Sequence, residues 1–156
     1  MRAKPLSVIF IVLAISGSLW AADDLLMGTW QLDLTKSKFK PGPPPKSLTH
    51  KYEPHETNGV KFASEGMDAQ GEPIHSEYSA NYDGTDYTVT GDPTHNSVSM
   101  RRIDAYTTEV TSRRNGQALW TSRSEVSKDG KTLTITQKGT TAQGQSVNNV
   151  LVFDKQ

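Results

Sequence analysis

From Met27 to the C-terminus, apolar residues recur at every second position in short runs, and no stretch keeps a helical period. Trp30, Leu32 and Leu34 fall on one face of the first run, while Thr29, Gln31 and Asp33 fall on the other. The pattern returns in Leu48 with Tyr52, Val60 with Phe62, Ile74 with Tyr78, Val98 with Met100 and Leu133 with Ile135. Such alternation is the mark of a strand with one face buried and one face wet. Abundant Thr suits the wet face, because a β-branched side chain fits a pleated, half-solvated surface.

The punctuation is as regular as the runs. Asp83-Gly84, Asn115-Gly116 and Asp129-Gly130 predict hairpin turns, in which both central residues take positive φ. Softer turn signals lie at 54–59, 68–71, 91–96, 104 and 141–144. These connections predict about ten short strands joined next to next. A meander of that length removes its edges by closing, so the expected fold is all-β, an up-and-down antiparallel β-barrel. A two-sheet sandwich, the alternative, would carry longer crossovers.

Residues 36–46 break the rhythm with Pro41, Gly42 and three successive prolines, Pro43, Pro44 and Pro45. Proline lacks a backbone donor and cannot occupy a helix interior, so this segment is neither helix nor central strand. An extended strap across one end of the barrel is expected, in preference to a docking motif for a proline-binding module.

The N-terminus carries a different signal. Arg2 and Lys4 precede an apolar run from residue 6 to residue 15, too short to span a bilayer, followed by small residues around Ala21 and Ala22. Residues 1–21 therefore read as a signal peptide, leaving one domain at 27–156 and a secreted or periplasmic protein. Without cysteine there is no disulfide, no cysteine metal site and no lipid anchor at the cleavage point. Removing the block leaves 39 apolar residues in 135, or 29%, with 29 Ser and Thr. So lean a composition excludes a coiled coil and a large greasy core, while a net charge of only −2 argues against disorder.

Gly28-Thr29-Trp30, opening the first strand, resembles the Gly-x-Trp signature of the calycin superfamily, which joins lipocalins and fatty-acid-binding proteins. Residues 127–136 and 149–156 resemble the last strands of the fatty-acid-binding group. The pattern Lys36-Ser37-Lys38-Phe39-x-Pro41-Gly42-Pro43-x-Pro45 is similar to one that recurs in uncharacterised secreted bacterial proteins of this general type. The resemblance implies a lipocalin-like barrel with an internal cavity, and a Trp30 that plugs one end. Two departures stand against fatty-acid binding itself. The prolines leave no room for a helical lid between the first two strands. The Arg-x-Tyr pair that grips a carboxylate is replaced by Asn149-x-Leu151 or Val150-x-Val152.

Taking the Trp30 face as interior places His50, Tyr78, Arg102 and Trp120 among apolar lining residues. These four are the candidate ligand-binding groups, with Gly28 and Trp30 as the structural motif. A pocket needs an apolar wall with a few placed polar groups. Arg102 would offer a forked cation to an anion, and Trp120 an aromatic face with one donor. Each has a plainer alternative as a satisfied core residue, and for Arg102 the alternatives are pairing with Glu109 or closure over Trp30. A slip of one residue would exchange the faces and set Arg101 in place of Arg102.

Catalysis has little footing. His50, His55, His75 and His95 are scattered, and His75 with Glu77 would supply only two ligands to a metal. The pI of 6.9, with acidic residues among the arginines, gives no nucleic-acid footprint. The sequence thus predicts a monomeric, non-enzymatic carrier for a small apolar or amphipathic molecule, without cofactor, metal or membrane anchor. The alternative is a filled barrel acting through its outer surface on an extracellular protein or a cell-envelope component.

Overall fold

A computed structural model describes residues 24–156, so the expected signal peptide at 1–21 lies outside the described residues. Ten strands follow in order: β1 (Gly28–Leu32), β2 (Ser47–His55), β3 (Gly59–Met67), β4 (Pro73–Asn81) and β5 (Tyr87–Thr88). They continue as β6 (Ser97–Arg102), β7 (Thr107–Arg114), β8 (Gln117–Val126), β9 (Thr132–Thr140) and β10 (Ser146–Lys155). All belong to one antiparallel sheet in the order β4-β3-β2-β1-β10-β9-β8-β7-β6-β5, and no helix occurs among the described residues. The sheet curls until its two edges, β4 and β5, approach each other.

Closure is nearly complete. No full ladder joins β4 to β5, but Glu77 and Thr90 exchange both backbone hydrogen bonds at 2.9 Å. The Gly84 N–H donates to the Met100 carbonyl at 2.9 Å a little further on. Gly91 makes the approach possible: its φ is +85°, and a Cβ there would stand 2.7 Å from the His75 carbonyl oxygen. Only glycine combines that conformation with that clearance.

The register fixes which side chains point inward, because cross-strand partners share a face. Trp30, His50, Ser64 and Ser76 form one transverse row, and Tyr52, Phe62 and Tyr78 a second. Across the barrel, Met100, Val110, Ser122, Gln137 and Asn149 form a third. The alternation expected from sequence is therefore the alternation observed.

Of the three expected hairpin turns, one has the expected conformation. Asn115 and Gly116 take φ of 51° and 82° in a two-residue turn between β7 and β8. In the β8–β9 connection only Gly130 has positive φ, and its N–H donates to the Ser127 carbonyl at 2.8 Å. Asp83-Gly84 is a corner, not a hairpin, because β4 and β5 do not pair side by side. The Asp83 carboxylate accepts from the Thr85 N–H at 2.9 Å and from the Tyr87 hydroxyl at 2.6 Å. A side chain that bonds its own downstream backbone closes a corner without a ladder.

The proline-rich segment runs beside β10 beyond the end of β1. Lys38 and Val150 exchange backbone bonds at 2.7 and 2.8 Å, and the Asn148 N–H donates to the Lys40 carbonyl at 2.7 Å. The β10 groups that β1 leaves unpaired are satisfied this way, as buried or half-buried backbone requires.

One end of the barrel is packed shut. Trp30, Leu133 and Phe153 are fully buried there, and the Trp30 indole donates to the Leu26 carbonyl at 2.8 Å. The Lys155 ammonium lies 4.9 Å from the centre of the Trp30 ring and donates to the Leu25 carbonyl at 3.1 Å. The cation closing over Trp30 is thus Lys155, while Arg102 pairs with Asp24.

Candidate functional site

Toward the other end the packing thins into a cavity of about 170 Å³. Its two walls differ in chemistry. Strands β2, β3 and β4 contribute the rings of His50, Tyr52, Phe62 and Tyr78, with Phe62 and Tyr78 stacked at 4.8 Å between centres, and the two hydroxyls of Ser64 and Ser76. His50 stands 5.0 Å from Phe62 and 4.4 Å from Phe153. Strands β7, β8 and β9 contribute hydroxyl and amide groups: Ser112, Ser122, Ser124 and Gln137. Gln137 donates to Ser122 at 3.3 Å and accepts from Asn149 at 2.9 Å, so its amide is oriented. Val98, Val110, Ile74 and Ile135 fill the seams between the walls.

At the open end a second hollow of about 270 Å³ is bounded by Pro41, Pro93, Thr94, Arg114, Val147 and residues 141–143. Trp120 and Gln137 line both spaces, so they form the partition between interior and mouth. The His95 ring meets Trp120 edge-on at 5.1 Å, and its Nδ1 lies 3.4 Å from the Asp92 carboxylate. Asp92 also accepts from the Thr94 N–H at 2.6 Å. Arg114 donates to the Pro93 carbonyl at 2.7 Å, which pins the loop carrying these residues.

The inner cavity carries one carboxylate, Asp92 at its rim beside His95, and its deeper lining is uncharged. Burial pushes the His50 imidazole down to about 3, so it is uncharged at ordinary pH, and its Nδ1 has no hydrogen-bond partner. Burial likewise raises the Tyr52 and Tyr78 hydroxyls, which stay protonated. At the mouth, burial works to raise the Asp92 carboxyl, but hydrogen bonds from His95 and Thr94 outweigh it and hold it at about 2. Among the described residues, Asp92 is the one carboxylate that lines the inner cavity, and Arg114 is the cation of the outer hollow.

Of the four predicted binding residues, the structure brings His50, Tyr78 and Trp120 to the cavity. Arg102 faces inward as well, but at the closed end, away from it. Its guanidinium is paired with Asp24 and lies 4.3 Å from the centre of the Tyr82 ring. Gly28 stands at the closed end with φ +127°, and a Cβ there would meet the Lys155 side chain at 2.9 Å. The serines and Gln137 escaped the sequence reading, although Ser122 and Ser124 alternate in phase with Trp120 and Val126. Polar residues on an otherwise apolar face were the available signal. Asp92 and His95 lie in a loop, where no periodicity points inward.

His75 and Glu77 are on the outer surface, and no group of three or more metal-ligating side chains occurs among the described residues. No family model matches the chain, and the search of curated proteins finds no match.

Proposed function

We propose that this is a secreted or periplasmic binding protein that holds a small apolar or amphipathic molecule inside its barrel, in the manner of the calycins. The observation that carries the reading is the cavity of about 170 Å³ between a ring-lined wall and a hydroxyl-lined wall. Dense packing fills most protein interiors, and a space with a few convergent polar groups on an apolar lining is the usual form of a small-molecule site. His50, Tyr78 and Trp120 are the contact residues of choice, joined by Ser122, Ser124 and Gln137.

The strap's backbone is bonded to β10 and Pro41 lines the mouth, which favours a wall of the site over a free docking motif. Binding is preferred to catalysis because the histidines stay apart. His50 lies in the core, His95 at the mouth, and His55 and His75 on the outside. Native mass spectrometry of protein purified from its own host tests the proposal. A retained small molecule is the expected result; the bare chain mass, with no uptake of small-molecule probes, would overturn it.

A further inference from the structure

We propose that the occupant is an uncharged, ring-sized molecule with hydrogen-bonding groups along one edge, an inference that rests on the binding role just argued. Size is the first constraint. An apolar protein cavity of about 150 Å³ accommodates benzene, and the space here is about 170 Å³. It matches a single substituted ring, whereas a fatty acyl chain of a dozen carbons would have to run past Trp120 and Gln137 into the outer hollow.

Charge is the second. Among the described residues, no lysine or arginine lines the inner cavity. Arg102 and Lys155, the inward cations, are at the closed end and committed to Asp24 and to the Leu25 carbonyl. Arg114 belongs to the outer hollow, where it holds the 93–94 loop. A carboxylate or phosphate in the cavity would therefore lose its water without gaining a counter-charge, which is prohibitive in a low-dielectric space. It would also have to pass Asp92, an anion at the entrance.

Chemistry of the walls is the third. Phe62 and Tyr78 stack on each other at the cavity wall, and a further aromatic ring packs against such a pair by offset or edge contacts. Opposite them stand the buried hydroxyls of Ser112, Ser122 and Ser124, of which Ser122 already accepts from Gln137, and an occupant can add partners to them. A ring with a hydroxyl, carbonyl or amide on one edge meets both demands at once.

The test is a titration of the purified protein at pH 7.5, followed by backbone amide NMR shifts of β7 to β9. The probes are 4-hydroxybenzyl alcohol, toluene, benzoate and dodecanoate. The neutral hydroxylated ring is expected to bind, with benzoate and dodecanoate weaker by at least about tenfold because neither finds a cation. Ser122→Ala with Ser124→Ala should weaken 4-hydroxybenzyl alcohol by about fivefold or more, the value of a lost hydrogen bond or two, and leave toluene unchanged. Benzoate or dodecanoate binding as tightly as the neutral ring would overturn the inference while leaving the carrier role intact. If no probe binds, the molecule retained in native mass spectrometry decides. A neutral single ring supports the inference, a charged or longer molecule overturns it, and a bare mass removes the carrier role as well.

Discussion

The guanidinium of Arg102 lies 4.3 Å from the centre of the Tyr82 ring, with Asp24 as its ion partner. This places Arg102 in the lock at the closed end, where it ties the start of the described chain to the end of β6. Each contact is partly wet, the side chains of Arg102 and Asp24 being 29% and 27% exposed. Arg102→Ala should therefore cost about 1–2 kcal/mol, the sum of a half-buried cation–π contact and a screened ion pair. Urea unfolding measures the loss, and binding of 4-hydroxybenzyl alcohol should be unchanged. Abolished binding at full stability would return Arg102 to the ligand site.

Gly66 on β3 lies opposite Leu48 on β2. A Cβ on it would stand 2.1 Å from the Ser47 carbonyl oxygen, and both groups are backbone-bound. Gly66→Ala is expected to destabilise by about 1–3 kcal/mol or more, since the two strands must part. Gly42, in the proline strap, has nothing within 4 Å of the same position. Gly42→Ala should stay within about 0.5 kcal/mol of the parent in the same unfolding assay. Equal costs at the two sites would mean that the close pairing of β2 and β3 is not maintained in solution.

The contrast between these glycines shows where the chain speaks for itself. A two-residue period survives folding unchanged, so the strand order and the inward set, from Trp30 and His50 to Trp120, could be read directly. Asn115-Gly116 was legible because a two-residue hairpin needs positive φ at both positions and these residues tolerate it. Asp83-Gly84 misled, since the same dipeptide also makes a corner once the following strand, β5, is too short to pair back. The role of Arg102 was hidden because facing inward does not say at which end of the barrel a residue lies. That depends on strand stagger, which places Arg102 level with Thr108 and Ser124 and within reach of Asp24. Asp92 and His95 enter the site through a loop whose path is set by Gly91 against His75, a long-range contact without a local signature.

Trp120 separates the inner cavity from the mouth, with the His95 ring edge-on against it. Cutting it to alanine joins the two spaces. Trp120→Ala should speed release of a bound neutral ring by about tenfold, because residence is governed by the barrier at the exit rather than by encounter. Trp120→Phe, which keeps a ring in the partition, should restore slow release. NMR line shapes at increasing probe concentration report the exchange rate. Unchanged exchange in Trp120→Ala would show that the ligand leaves by another route, such as the β4–β5 seam.

His50 supplies the pH dependence that belongs to the core alone. In the unfolded chain its imidazole titrates near the ordinary value of 6.5, whereas burial holds it at about 3 in the fold. Between these values the unfolded chain binds one more proton than the native one, so stability rises with pH across that window. The contribution is complete above about pH 6.5 and is lost progressively as pH falls toward about 3. Asp33 and Asp92, both held at about 2, and Asp83, Asp104 and Asp129, held below the usual carboxylate value by hydrogen bonds, add their own losses as pH falls below about 5. The interval from pH 6.5 to 5 therefore isolates the histidine, where one proton gives a slope of up to about 1.4 kcal/mol per pH unit. His50→Phe removes the titrating group while keeping a ring among Tyr52, Phe62 and Phe153. Urea unfolding at half-unit steps should show the parent weakening across this interval and the variant nearly flat. His50→Gln, which cannot titrate either, should match His50→Phe in slope whatever its absolute stability. Equal slopes in all three proteins would mean that the His50 imidazole keeps its proton in the fold, with a partner inside the cavity that holds it there.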